Sequence, residues 1–247
     1  MTETVLETRG LVKDFGGITA TNDVSVSFSD DELHAIIGPN GAGKTTFFNL
    51  LTGTLTPTEG SIHFLGEDIT ALSPDEIAQR GLIRSYQVTQ LFENLTVLEN
   101  VRIAAQSRHH SYDLWHDADS LVEPRERAES VLDRLDLLHK RDVIAAELSH
   151  GEQRVLELAI ALGTDPKLLL LDEPTAGMSP EETAEMIHII DDIAERVPIV
   201  LVEHKMSVVM EVADRILVLH NGRAIADDTP AAVRNNDEVK RVYLGEA

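Results

Sequence analysis

The chain has no cysteine, so a disulfide framework and any thiolate metal site are excluded, which is compatible with a cytosolic setting. Lysine is almost as scarce. The 21 basic residues are 15 Arg and 6 Lys, set against 43 Asp and Glu for a formal net charge of -22. Phosphate backbones and anionic lipids are bound through clustered Lys and Arg, so no nucleic-acid partner and no polybasic anchor are expected. Long apolar runs are also missing: Leu168 to Leu171 and Ile199 to Val202 fall far short of the roughly 20 residues that a membrane-spanning helix needs. The opening Met1 to Glu7 is acidic and lacks the apolar core of a secretory signal, so the mature chain is expected to begin there. With 247 residues the chain can bury a substantial core as one large α/β domain, with or without a smaller lobe.

What is present is organised around Gly38-Pro39-Asn40-Gly41-Ala42-Gly43-Lys44-Thr45-Thr46, which meets the phosphate-loop pattern G-x-x-x-x-G-K-[ST] at every fixed position. The apolar run Leu33 to Ile37 before it reads as a buried strand. Thr45 to Leu51 behind it reads as a helix, with Phe47, Phe48, Leu50 and Leu51 on its apolar side. Glycines let main-chain N–H groups converge on phosphate oxygens, and a helix start adds positive potential. Lys44 supplies a mobile charge for the β- and γ-phosphates, and Thr45 a hydroxyl for Mg²⁺.

Around this loop, Thr4 to Asp14 and Asp23 to Ser29 read as strands separated by Phe15-Gly16-Gly17. By spacing alone, Phe15 serves equally well to stack on an adenine or to pack in the core. Ser61 to Leu65 and Leu82 to Tyr86 read as further strands, the latter delivering Gln87 at its tip. Ser73-Pro74-Asp75-Glu76 and Thr96-Val97-Leu98-Glu99 read as capping boxes. From Thr96 to Arg141 the pattern is that of an inserted helical lobe, with a helix expected over Glu123 to Leu138. The His- and Asp-rich stretch His109 to Asp117 superficially suggests a metal site, but nothing fixes those residues on one face, so it is read as a loop or interaction surface. Ser149 and Glu152 cap a helix running to Gly163, and Gly151 at its start permits close approach of a phosphate.

Leu168 to Leu171 is a continuous apolar strand ending in Asp172-Glu173, and ligands bind at such carboxyl ends. Asp172 suits Mg²⁺; Glu173 suits polarisation of an attacking water. Ser179-Pro180-Glu181-Glu182 starts a helix with Ala184, Ile187, Ile190 and Ala194 as its core stripe. Strand Ile199 to Val202 delivers His204. Asp214 to His220 and Arg223 to Ala226 form a hairpin across Asn221-Gly222, and Pro230 to Leu244 forms short terminal helices.

Taken in order, the phosphate loop, Gln87, Leu148-Ser149-His150-Gly151-Glu152-Gln153, Leu171-Asp172-Glu173-Pro174 and His204 resemble the ATPase subunits of ABC transporters over essentially the whole chain. Phe15-Gly16-Gly17, the long segment before the Leu-Ser-x-Gly signature and the Tyr243 to Ala247 ending look like the branched-chain amino-acid importers. The resemblance implies a P-loop α/β core with an antiparallel β subdomain over 1–95 and 142–247, and a helical subdomain over about 96–165. It implies that ATP and Mg²⁺ are bound, and that ATP on residues 38–46 of one subunit is covered by Ser149 and Gly151 of a second, identical or homologous. By the same carry-over Phe15 stacks adenine, Gln87 senses Mg²⁺ and the permease, and Asp172 supports Mg²⁺. Glu173 is then the general base and His204 the γ-phosphate switch. The implied setting is the cytoplasmic face of the membrane, held there by an integral permease and supplied by an external solute-binding protein.

The sequence departs from the family pattern twice. His150 stands where the signature usually has glycine, and Ala176-Gly177-Met178-Ser179 replaces the usual Ser-Ala-Leu-Asp; both are read as tuning. Two other functions fit the motifs, a soluble cluster-assembly ATPase of the same family and a nucleotide-binding regulatory module that does not hydrolyse. Intact Glu173 and His204 speak against the second.

So acidic and lysine-poor a surface repels itself unless salt screens it, and the screening length falls to about 3 Å at 1 M. A salt-rich cytoplasm is therefore expected. Thermal melts should show a higher midpoint in molar KCl than in low salt; equal or greater stability in low salt would contradict this.

Overall fold

The computed structural model describes residues 3–85, 91–107 and 122–244. Its contacts divide the chain into two compact units, Met1–Ile83 with Lys167–Glu173 and Ile190–Ala247, and Arg84–Pro166 with Pro174–Ile189.

In the first unit, β1 (Thr4–Phe15) and β2 (Ile18–Ser29) form an antiparallel hairpin, continued by β4 (Glu59–Phe64) and the short β5 (Glu67–Asp68) in the order β2-β1-β4-β5. Val24, Val26 and Phe28 are buried while Asp23, Ser25 and Ser27 between them are exposed, the alternation of a sheet with one covered face. β2 starts five residues before the Asp23 expected from sequence. Asp14 pairs with Thr19 and Phe15 with Ile18, so the ladder runs right up to Gly16 and Gly17, whose φ values of 55° and 118° turn the chain.

The second sheet runs β10-β9-β3-β8-β7-β6. Its strands are β3 (His34–Ile37), β6 (Leu82–Ser85), β7 (Leu168–Asp172), β8 (Ile199–Val202), β9 (Arg215–His220) and β10 (Arg223–Asp228). β3 lies parallel to both β8 and β9, β7 lies parallel to β8, and β10 pairs antiparallel to β9 across Asn221-Gly222. All of β3 and β8 and the first four residues of β7 are buried, as unbroken apolar strands in a parallel sheet must be. Phe47 and Phe48 of α1 (Lys44–Leu51) complete this core with Phe28, Phe64, Ile36 and Leu170. The α/β architecture with a separate antiparallel sheet is the one expected from the sequence.

In the second unit, α3 (Val97–Gln106), α4 (Val122–Arg134) and α5 (His150–Gly163) pack on one another. α4 ends at Arg134 rather than Leu138. Asp136 turns to φ 55°, its N–H donates to Asp133 O, and the Leu137 N–H donates to Leu132 O at 2.8 Å, a Schellman closure sealed by buried Leu132 and Leu137. The Thr96 hydroxyl caps α3 as expected, but the Glu99 carboxylate pairs with Arg102 instead of closing a box. The box at Ser73 and Glu76 ahead of α2 (Pro74–Arg80) is complete. In α6 (Pro180–Ala194) the buried stripe is Met186, Ile187, Ile190 and Ile193; Ala184 is exposed and Ala194 half-buried, a correction of about one residue in the phase of the helix. The chain ends in α8 (Pro230–Asn235) and α9 (Asp237–Leu244), as expected. Among the described residues no helix is long and apolar enough to cross a membrane.

Candidate functional site

The phosphate loop runs from the end of β3 to the start of α1, and its shape is set by what lies under it. A Cβ on Gly38 would sit 2.3 Å from the Leu219 carbonyl oxygen of β9. One on Gly43 would sit 2.3 Å from the Ala20 carbonyl oxygen of β2, and Gly43 caps α1 with a φ of 103°. The Gly222 N–H at the β9–β10 turn donates to Ala42 O at 2.9 Å, and the Asn22 N–H donates to Gly222 O at 2.7 Å. Both glycines are therefore obligatory for packing, Gly43 for its conformation too, and the hairpin turn braces the loop from below. Gly41, with φ 80°, meets the second requirement only.

Lys44 is buried, and its Nζ donates to the carbonyl oxygens of Gly38 at 2.6 Å and Pro39 at 3.1 Å, which folds the side chain over the loop. Burial lowers its pKa, opposed by the nearby Glu173 carboxylate. Thr45 is exposed at the start of α1. Asp172 ends β7 in register with Val202 of β8, and Glu173 follows with φ 51°, its N–H donating to Val202 O at 2.8 Å. A non-glycine residue held in the left-handed region is strained, and here the turn swings Glu173 out of the strand line that Asp172 follows. Its Oε1 lies 2.7 Å from His204 Nε2. His204 is held in turn by Glu203, a buried carboxylate that accepts from the N–H groups of His204 at 2.9 Å and Lys205 at 3.2 Å as the chain enters α7 (Met206–Val212).

The first unit thus carries residues 38–46, Asp172, Glu173 and His204, with Glu173 touching His204 and its charge felt at Lys44. Phe15 is 47% exposed at the tip of the β1–β2 hairpin, with Lys13 Nζ 5.2 Å from its ring centroid, so core packing is not its role. The second unit carries the Ser149 helix start. There the Ser149 hydroxyl accepts from the Glu152 N–H at 3.3 Å and Glu152 accepts from the Ser149 N–H at 2.9 Å, the complete box read from the sequence. Gln87 and the His109 to Asp117 stretch lie outside the described residues.

Among the described residues no group of three or more His, Asp or Glu is arranged to hold a metal ion. A Mg²⁺ that takes most of its ligands from phosphate oxygens and water needs little from the protein, and an exposed hydroxyl at Thr45 with a carboxylate at Asp172 suits that donor set. Sequence reasoning missed Glu203 and the brace under the loop. The first reads as an ordinary strand-exit acid, and the second needs the β9–β10 hairpin to be brought beside β3.

Residues 21–176 match the family model described as ABC transporter, and residues 225–247 match one described as Branched-chain amino acid ATP-binding cassette transporter. The high-affinity branched-chain amino acid transport ATP-binding protein LivG of Salmonella typhimurium is 39% identical over 258 residues, covering 100% of both chains. BraF of Pseudomonas aeruginosa, with the same description, is 38% identical, again with 100% of both covered. A nucleotide-free ATP-binding cassette from an ABC transporter superposes with a TM-score of 0.86 at 32% identity, over 99% of this chain and 100% of that one. A dimeric bacterial ABC transporter cassette superposes with a TM-score of 0.76 at 25% identity, over 91% and 98%.

Gly43→Ala should displace the loop from Ala20 while leaving the sheet intact. A fluorescent ATP analogue should then bind at least ~10-fold more weakly, about 1.4 kcal/mol, with an unchanged far-UV spectrum. Wild-type affinity would contradict the brace.

Proposed function

The chain belongs to the ABC transporter family, and from that premise we propose that it is the ATP-hydrolysing subunit of an importer for branched-chain amino acids. The observation that carries the reading is the 2.7 Å Glu173–His204 contact beside a complete phosphate loop, because it supplies a positioned base where a terminal phosphate would lie. The import specificity rests on the LivG and BraF relatives and on the family match at residues 225–247.

In the proposed reaction the loop N–H groups and Lys44 hold the β- and γ-phosphates, and Lys44 leaves the Gly38 and Pro39 carbonyls to do so. Glu173 takes a proton from a water whose oxygen bonds to the γ-phosphorus as the bond to the β,γ-bridging oxygen breaks, giving ADP and phosphate. His204 orients Glu173 and reaches the γ-phosphate. Thr45 and Asp172, with Gln87, would hold Mg²⁺, which offsets charge on the phosphate oxygens. Phe15 would stack on the adenine.

Ser149 and Gly151 are proposed to cover the nucleotide of a second cassette, identical or homologous, so that ATP closes the pair and hydrolysis reopens it. The known dimeric cassette supports such pairing. Residues of about 96–165, assigned as the helical subdomain, and the segment around Gln87 would grip a permease at the cytoplasmic face, with an external solute-binding protein supplying the solute. The high-salt setting inferred from the net charge belongs to this proposal too.

Glu173→Gln keeps the shape of the side chain and removes the base. Phosphate release, measured with the chain alone and with its solubilised permease, should fall by about 10²–10⁴-fold while ATP binding persists. Undiminished hydrolysis would overturn the assignment.

A further inference from the structure

The Ser149 end of α5 already holds an anion of the protein's own. Glu182, one turn into α6, closes a capping box with Ser179: its Oε2 accepts from the Ser179 N–H at 2.9 Å, and the Glu182 N–H donates to the Ser179 hydroxyl at 3.2 Å. The same carboxylate reaches across to α5. Its Oε1 lies so close to Gly151 that a Cβ there would come within 2.7 Å of it. Hydrogen bonds from Ser179, its main chain first, and the neighbouring His150 imidazole hold the carboxyl below its usual pKa, so it is charged at neutral pH.

The absence of a side chain at Gly151 thus has an occupant within the chain. Sequence reasoning assigned that space to a phosphate. His150 and Ser179 are exposed beside the carboxylate, so an approaching anion meets this edge from solvent. The carboxylate fills the space that the missing side chain leaves, and two negative groups a few ångströms apart repel each other.

The geometry points to Glu182 as a resident stand-in for the γ-phosphate: it keeps the start of α5 organised while the cassettes are apart, and it must give up Gly151 before the nucleotide of a facing cassette can be clamped. Ser179 keeps the carboxylate close by as it withdraws, ready to reclaim Gly151 once phosphate has left. Glu182 is a positioning residue that acts on α5 and never touches the reacting atoms. The inference rests on the paired-cassette reading above.

The test titrates ATP against the Glu173→Gln chain, which holds nucleotide without turnover, and reads pairing by sedimentation. Glu182→Gln keeps size and hydrogen bonding but removes the charge; Glu182→Asp keeps the charge but withdraws it by one methylene. In whichever variant keeps the parent's melting temperature, half-maximal pairing should need at least ~5-fold less ATP, while binding of a fluorescent ATP analogue to the unpaired chain stays within about twofold. A purely structural Glu182 would leave the pairing midpoint unmoved or raise it, and that result overturns the role given to Glu182 alone. If the Glu173→Gln parent pairs at saturating ATP neither with itself nor with a homologous cassette, the paired reading falls and the inference with it.

Discussion

Everything at the first unit's site depends on bare main chain pressed against main chain beneath the phosphate loop. Gly38 rests on Leu219, Gly43 rests on Ala20, and the Gly222 N–H holds Ala42 from below. With its underside bonded in this way, the loop is held by main chain, and α1 starts from Gly43, which has no side chain to bond the first turn. Lys44 then has carbonyl oxygens to lie on, and β8 and β7, successive parallel strands on one side of β3, bring His204, Asp172 and Glu173 to the same end of the sheet. The site follows from the sheet order, since the carboxyl ends of neighbouring parallel strands share one edge.

Much of this was legible in the sequence because it is local. The phosphate loop, the Asn221-Gly222 hairpin, the boxes at Ser73 and Ser149 and the helix start at Ser179 each announce themselves within a short stretch, and each is in place. What was missed is long-range or depends on a choice between local partners. Glu99 had Arg102 within reach as well as the Thr96 N–H, and took the ion pair. The end of α4 was hidden because Asp136 does the work of a glycine there. The apolar stripe of α6 was misphased because alanine reads as core by pattern yet tolerates solvent. Phe15 was undecidable by spacing, and its exposure removes core packing as its role.

The two departures in the signature region lie close together in the second unit. His150 neighbours Glu182, and Gly177 leaves room beside the His150 ring. The replaced segment at 176–179 ends in the serine that caps α6 and holds Glu182. Both changes therefore act on one small polar cluster at the start of α5, which gives physical content to reading them as tuning. The transported solute is a separate matter. LivG and BraF are described as serving branched-chain amino acids, while a relative from Haemophilus influenzae, 35% identical, is described as part of a lipopolysaccharide export system.

The central claim is that a terminal phosphate is gripped by the loop of one cassette and the Ser149 end of another. Having no native cysteine, the chain permits a direct measurement. Asn40→Cys and His150→Cys, introduced together into the Glu173→Gln background and cross-linked with a short thiol reagent, report whether these two places meet between chains. The account predicts that ATP converts the protein to covalent dimer, with itself or with a second cassette, and that ADP does not. Cross-linking that is no faster with ATP than without it, in both kinds of assembly, would contradict the claim.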